Sequence, residues 1–280
     1  MITDFTDTTA VITGGASGIG LAMARKFATE GSSLVLADIE ADALDAAIAE
    51  FEAADTPVLG VITDVSQQAS VEALRDAAID RFGSVEILCN NAGVGLGGPF
   101  LDDDPDYVAK FQWTMDVNLM GVLYGIRAFV PGMVERGAPA HVVNTASMAG
   151  LVSAGLGAYT VSKFGCVSMS ELLAIELGRT NVGVSVLCPE FVRTRIHESH
   201  RNAPDDLAGQ ERVDPKATEI MKAFVEGGID PADVADAVHD AIINDRFAIL
   251  THAVSGKAMI ARAETFAEGG LFNPTGGFGS

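Results

Sequence analysis

The chain has 280 residues, of which 48% are hydrophobic, and a chain of this length buries about 73% of its extended surface, enough for a core without disulfides or metal. Lys and Arg total 18 against 38 Asp and Glu, a formal net charge of −20, so the surface repels phosphate backbones and anionic lipid and argues against nucleic acid or membrane as a partner. Residues 1–7 carry no basic and apolar leader, no run of about 18 uninterrupted apolar residues follows, and Cys89, Cys166 and Cys188 are scattered; a cytoplasmic protein with reduced thiols is expected.

Short, unalternating apolar runs predict strands at 10–13, 34–37, 58–62, 85–89, 141–145, 184–188 and 247–250. Such runs suit a parallel sheet covered on both faces. Helix-period segments alternate with them at 19–30, 42–53, 68–82, 106–136, 156–179 and 231–244. This rhythm predicts an α/β fold: one domain over 1–280, a Rossmann-like doubly wound sheet of about seven parallel strands with helices on both faces.

The first strand runs into Thr13-Gly14-Gly15-Ala16-Ser17-Gly18-Ile19-Gly20. A turn so rich in glycine lets backbone N–H groups approach a pyrophosphate, and the helix that follows adds its positive end. Gly14, Gly18 and Gly20 are spaced G-x3-G-x-G rather than G-x-G-x-x-G. The position after the first strand of a long αβ alternation favours a dinucleotide site over a simple connection. Gly14, Ser17, Gly18, Ile19 and Gly20 are its expected contacts.

Asp38 ends the second strand, where a carboxylate accepts from an adenosine ribose and repels a 2′-phosphate. No basic residue stands at Gly15 or Ile39, so NAD is expected rather than NADP. Asp64 and Val65, ending the third strand, suit the adenine edge.

Further along come Asn90-Asn91-Ala92-Gly93, Asn118, Ser147 and Tyr159-Thr160-Val161-Ser162-Lys163. With the glycine turn, this ordered set resembles the short-chain dehydrogenase/reductase family from about residue 6 to 250. The resemblance implies that Asn118, Ser147, Tyr159 and Lys163 are catalytic, with Asn118 ordering a water relay behind Lys163. It implies that Lys163 holds the nicotinamide ribose, that Asn91, Ala92 and Gly93 line the cofactor, and that Thr194 meets the nicotinamide amide, with Pro189 and Val192 beside it. The family commonly has Pro-Gly where this chain has Pro189-Glu190; Glu190 either faces the substrate or turns to solvent. Related enzymes are usually homotetramers or homodimers joined through the helices that correspond to 106–136 and 156–179.

The chemistry also follows directly from the residues. Tyr159 and Lys163 are spaced i, i+4, on one helix face and about 6 Å apart along its axis. An ammonium about 5 Å from a phenol, at an effective dielectric near 20, favours the phenolate by roughly 3.3 kcal/mol. Tyr159 then takes a hydroxyl proton while hydride leaves for the cofactor, and Ser147 hydrogen-bonds the reacting oxygen.

Residues 191–228 have the length and position of a substrate lid, with only short helical patterns; residues 269–280 form a Gly-rich tail. His197 and His200 share a spacing of three, but no third ligand is evident and no metal centre is expected. Met115, Met120, Met133, Met169 and Trp113 are expected to be packing residues. Val94, Ser147, Met148, Ala149, Glu190 and Phe191 are expected to line the substrate pocket, within walls at 94–96, 148–156 and from 191. Their apolar character suggests an uncharged secondary alcohol or ketone, alicyclic or aromatic. An NADP-linked carbonyl reductase and a non-catalytic nucleotide-binding regulator remain as alternatives.

Overall fold

Every one of the seven strands pairs in parallel with its neighbours, in the order β3-β2-β1-β4-β5-β6-β7. They are β1 (Thr9–Thr13), β2 (Ser33–Asp38), β3 (Val58–Ile62), β4 (Ile87–Asn90), β5 (Ala140–Thr145), β6 (Val182–Cys188) and β7 (Ala248–Leu250). The computed structural model describes residues 1–95, 98–101, 103–153, 155–204, 207 and 215–273. The expected Leu96 of the pocket wall, residues 205–206 and 208–214 of the lid, and the tail from 274 onward lie outside them.

The strands do not alternate in polarity because both faces are covered. Successive residues of β1 belong to opposite cores: Val11 joins Val35, Leu88, Val142 and Val184 on one face, whereas Ala10 and Ile12 join Leu34, Leu36, Ile87 and Leu187 on the other. The first face is covered by α3 (Gln68–Phe82), α5 (Gly121–Arg136) and α6 (Gly157–Leu177), through residues such as Leu74, Phe129 and Leu173. The second is covered by α1 (Gly18–Thr29), α2 (Ala41–Ala53) and α8 (Pro231–Ile243), through Phe27, Phe51 and Val238. Period-2 geometry thus sends each strand's side chains into two separate hydrophobic layers. Burial pushes the Cys188 thiol up to about 12, so it stays protonated and unreactive.

The helix expected over 106–136 is not uniform. It runs as α4 (Tyr107–Met115), a π-helical turn at Asp116–Met120, and then α5. The buried Asn118 is the reason. Its amide is turned inward to the backbone of Val94, and the wider turn accommodates that contact. Within the span Tyr107–Arg136, an 18-residue window has a mean hydropathy of 1.4, enough by length and composition for a membrane-crossing helix, although half of that window is buried in the fold.

Two further helices correct the sequence reading. The lid region contains α7 (Pro215–Glu226), 12 residues long, rather than only short helical patterns. Beyond β7 lies α9 (Ala253–Ala267), in a stretch where no element was expected. Its exposed Val254, Ile260 and Phe266 leave it without the one-sided apolar stripe that marks a helix packed on a core.

Candidate active site

The carboxyl ends of β1, β2, β4, β5 and β6 open onto one cleft of about 1500 Å³. It exceeds the roughly 300–1,000 Å³ usual for a single small ligand. The cleft lies at the point where the strand order reverses between β1 and β4, the usual ligand crevice of such sheets.

At its floor the turn after β1 is held in shape by its own glycines and by β4. Gly14 sits at φ +64°, and a β-carbon on Gly20 would run into the Gly14 carbonyl oxygen, so both positions require glycine. Thr13 Oγ1 accepts from the backbone N–H groups of Asn91 and Ala92 at 2.9 and 3.1 Å. The Asn91 amide donates back to the Thr13 carbonyl at 3.0 Å. Ser17 stands at the N-cap of α1 in extended conformation without capping it through its side chain. With Ser17, Gly18 and Ile19 lining the cleft, the positive end of α1 faces the space in which an anion would be held.

Asp38 is buried at the end of β2. One carboxylate oxygen accepts from Ala16 N at 3.1 Å and the other from Glu40 N at 3.1 Å. Burial raises its pKa above the ordinary carboxylate value while these backbone bonds pull it down. Asp38 therefore braces the glycine turn, and its remaining lone pairs are available to a ligand. Asp64 is less free, because its Oδ1 accepts from both the N–H and the hydroxyl of Ser66. Val65 packs against Gly121, and both Asp64 and Val65 line the cleft.

Across the cleft, Ser147 caps a short 3-10 turn, Met148–Gly150, by accepting from Ala149 N at 3.1 Å. Its hydroxyl lies 3.5 Å from the Pro189 carbonyl oxygen, at the limit of a hydrogen bond, so the O–H has little competition for a new acceptor. Lys163 is buried and donates from Nζ to the Thr145 carbonyl at 2.9 Å. Its Nζ stands 5.6 Å from the centre of the Tyr159 ring. Ser147, Tyr159 and Lys163 line the cleft together with Asn91, Ala92, Gly93, Val94, Met148, Ala149, Pro189, Phe191, Val192 and Thr194.

Three positions make contacts that the sequence reading did not specify. Asn118 is fully buried. Its Oδ1 accepts from Val94 N at 2.8 Å, and its Nδ2 donates to Val94 O at 2.9 Å and Ser162 Oγ at 3.1 Å. The amide thus pins the loop after β4, and a β-carbon on Gly93 would lie 3.2 Å from Asn118 Oδ1 and 3.4 Å from Lys163 Nζ. Glu190 is neither solvent-facing nor solely a pocket group. It reaches the cleft wall while its Oε1 accepts from the buried Ser255 at the start of α9, at 2.6 Å. Trp113, expected only to pack, also lines the cleft.

Within the expected lid, several lining residues were not singled out individually by the sequence reading. Ile220, Met221, Phe224 and Val225 of α7 enclose the lid side, with Phe224 stacked on Phe191 at 4.9 Å between ring centres. Their i, i+1, i+4, i+5 spacing was the available signal. Ile196, Ser199, Arg201 and Asn202, in a 3-10 segment at Ile196–Asn202 that touches α7, also line the cleft.

The residues present fit a dinucleotide: a turn where β-carbons are excluded, a helix N-terminus, a carboxylate at the end of β2, and a cleft long enough for a second molecule. Residues 8–205 match the short chain dehydrogenase family. A short-chain dehydrogenase/reductase from Burkholderia phymatum, solved in complex with NAD, is 39% identical, with a TM-score of 0.92 over 100% of both chains. A 1-deoxy-11-beta-hydroxypentalenate dehydrogenase from Streptomyces exfoliatus is 37% identical over 87% of this chain and 82% of its own. A CLA biosynthesis dehydrogenase/reductase from Lactiplantibacillus plantarum is 34% identical over 89% of each.

Proposed function

Since the chain belongs to the short-chain dehydrogenase family, we propose that it is an NAD-dependent alcohol dehydrogenase or ketoreductase, acting on an uncharged and largely apolar secondary alcohol or its ketone. The observation that carries this reading is the approach of Lys163 to Tyr159, one helical turn apart on the wall shared with Ser147. NAD supplies the hydride acceptor in oxidation and its reduced form the donor in reduction. Around it, this chain's residues hold and move the proton. Tyr159 exchanges it with the substrate oxygen at its phenol oxygen, and Ser147 Oγ donates to that same oxygen. Lys163, anchored to the Thr145 carbonyl, holds its ammonium beside the Tyr159 ring, and Asn118 acts as a positioning residue that fixes the loop carrying Gly93 and Val94.

The preference for NAD rests on the carboxylate of Asp38, where a 2′-phosphate would meet a like charge. The B. phymatum relative, solved with NAD, supports it. The apolar substrate rests on Val94, Met148, Phe191 and Phe224 in the lining of the cleft, whose cations are Lys163, Arg195 and Arg201 among the described residues. Assembly as a homodimer or homotetramer through α4–α5 and α6 is supported by the exposed Val108, Leu172 and Ile175, apolar residues that a second copy would cover. Light scattering at micromolar protein, giving about 29 kDa, would contradict assembly.

The test is a substrate panel followed by NADH absorbance. Cyclic and aryl secondary alcohols should give the highest kcat/KM with NAD. A higher kcat/KM for sugar phosphates or acyl-CoA esters would overturn the substrate class, and a preference for NADP would overturn the cofactor.

A further inference from the structure

The 3-10 segment Ile196–Asn202 lies across the cleft and is tied to both of its banks. On the β2 side, Arg201 donates to Glu40 Oε1 from Nε at 3.0 Å and from Nη2 at 2.7 Å. Asn202 Nδ2 donates to the same oxygen at 3.0 Å. On the β4 side, Ser199 is buried, and its Oγ accepts from Gly95 N at 2.9 Å. Between these banks, in the sheet order, lies β1 with the glycine turn. Thr194, just ahead of the segment, comes within contact of Gly18, as a β-carbon there would lie 3.1 Å from Thr194 Cγ2.

The fastening has the marks of a specific device rather than incidental surface pairing. Glu40 occupies the N-cap of α2, where a carboxylate would ordinarily accept from the helix's own N–H groups, yet it makes no side-chain cap bond and turns to Arg201 instead. Arg201 is itself held in place, donating from Nη1 to the carbonyls of Arg195 and Glu198 at 3.1 and 3.0 Å. Its guanidinium therefore joins the segment's own backbone to Glu40, with Nε and Nη2 converging on one carboxylate oxygen. Both partners are only about a quarter exposed, so water screens the pair less than it would a surface ion pair.

We infer that residues 194–202 form a strap over the dinucleotide cleft, latched by Glu40 on one bank and by Gly95 N–H on the other, and that passage of the cofactor in and out requires the latch to open. The inference rests on the cofactor reading above. Glu40 is a positioning residue in this account and acts on the cofactor through Arg201. A gate has a kinetic signature that a simple binding contact lacks: loosening it accelerates association and dissociation together and leaves Kd nearly unchanged.

Stopped-flow mixing with NADH, followed by displacement with excess NAD, reads both rates on the intact protein. Glu40→Ala should raise both by about three- to tenfold and leave Kd within about twofold. Ser199→Ala, on the opposite bank, should act in the same direction and serves as the deciding variant if Glu40→Ala does not fold. Unchanged rates in the folded variants overturn the strap. Faster dissociation with an unchanged association rate overturns it as well, because Glu40 would then be holding the bound cofactor rather than gating it. Failure of the wild type to bind NADH at all would instead overturn the proposed function, and the strap with it.

Discussion

Lys163 Nζ stands 5.6 Å from the centre of the Tyr159 ring and is anchored to the Thr145 carbonyl at 2.9 Å. The ammonium is thus fixed by β5 and not merely by its own helix, and α6 presents the phenol to the same cleft. Tyr159→Phe keeps the ring and deletes the acid/base. Turnover should fall about 100- to 10,000-fold while NADH binding, measured by fluorescence titration, stays within about twofold. Near-normal turnover would show that another group moves the proton.

Asp38 both braces the glycine turn through Ala16 N and faces the cleft. The two roles separate by substitution. Asp38→Asn keeps an acceptor oxygen and removes the charge, so discrimination against NADP should relax about tenfold or more while NAD binding weakens less. Asp38→Ala loses the brace as well and should weaken both cofactors. The ratio of kcat/KM for NAD and NADP in each variant decides it; an unchanged ratio in Asp38→Asn would remove Asp38 from cofactor choice.

His141 gives a pH dependence far from the cleft. It is fully buried in β5; its Nε2 pairs with Ser185 Oγ at 2.8 Å, and its Nδ1 has no partner among the described residues. Burial pushes its pKa down from 6.5 to about 4. The unfolded chain therefore binds a proton that the folded chain refuses. The stabilisation is complete above pH 6.5 and is lost as the pH falls from there toward 4, by on the order of 3 kcal/mol in total. Urea midpoints between pH 7.5 and 5 should fall in the wild type and fall less steeply in His141→Asn. Equal slopes would mean that the His239 imidazole, also shifted down by burial, or the carboxylates carry the effect.

Glu190 and Ser255 link the loop after β6 to α9 across 65 residues of sequence. Ser255→Ala leaves the Glu190 carboxylate without that hydroxyl, at a cost of about 1–2 kcal/mol. The double variant with Glu190→Gln should show coupling of the same order in a thermodynamic cycle read by urea denaturation. Strict additivity would show that α9 is held by other contacts.

Much of this architecture is legible in the sequence. Strand positions followed from β-branched runs, and the helix over 68–82 was read at its observed bounds, because local periodicity reports burial on a sheet covered from both sides. The glycine turn, Asp38, Tyr159 and Lys163 are legible as lining residues of one cleft because they stand at strand ends and one helical turn apart, and Ser147 through the family resemblance.

What only the tertiary structure decided depends on partners distant in sequence. The π turn at Asp116–Met120 exists because Asn118 meets Val94, 24 residues away. The direction of Glu190 was set by Ser255, on a helix whose exposed apolar residues gave periodicity nothing to mark. The strap owes its place to Glu40 and Arg201, 161 residues apart. Local propensity and pattern carry no information about which polar side chain finds which partner, since that choice is made when the strand ends are brought together and each buried donor or acceptor must be satisfied.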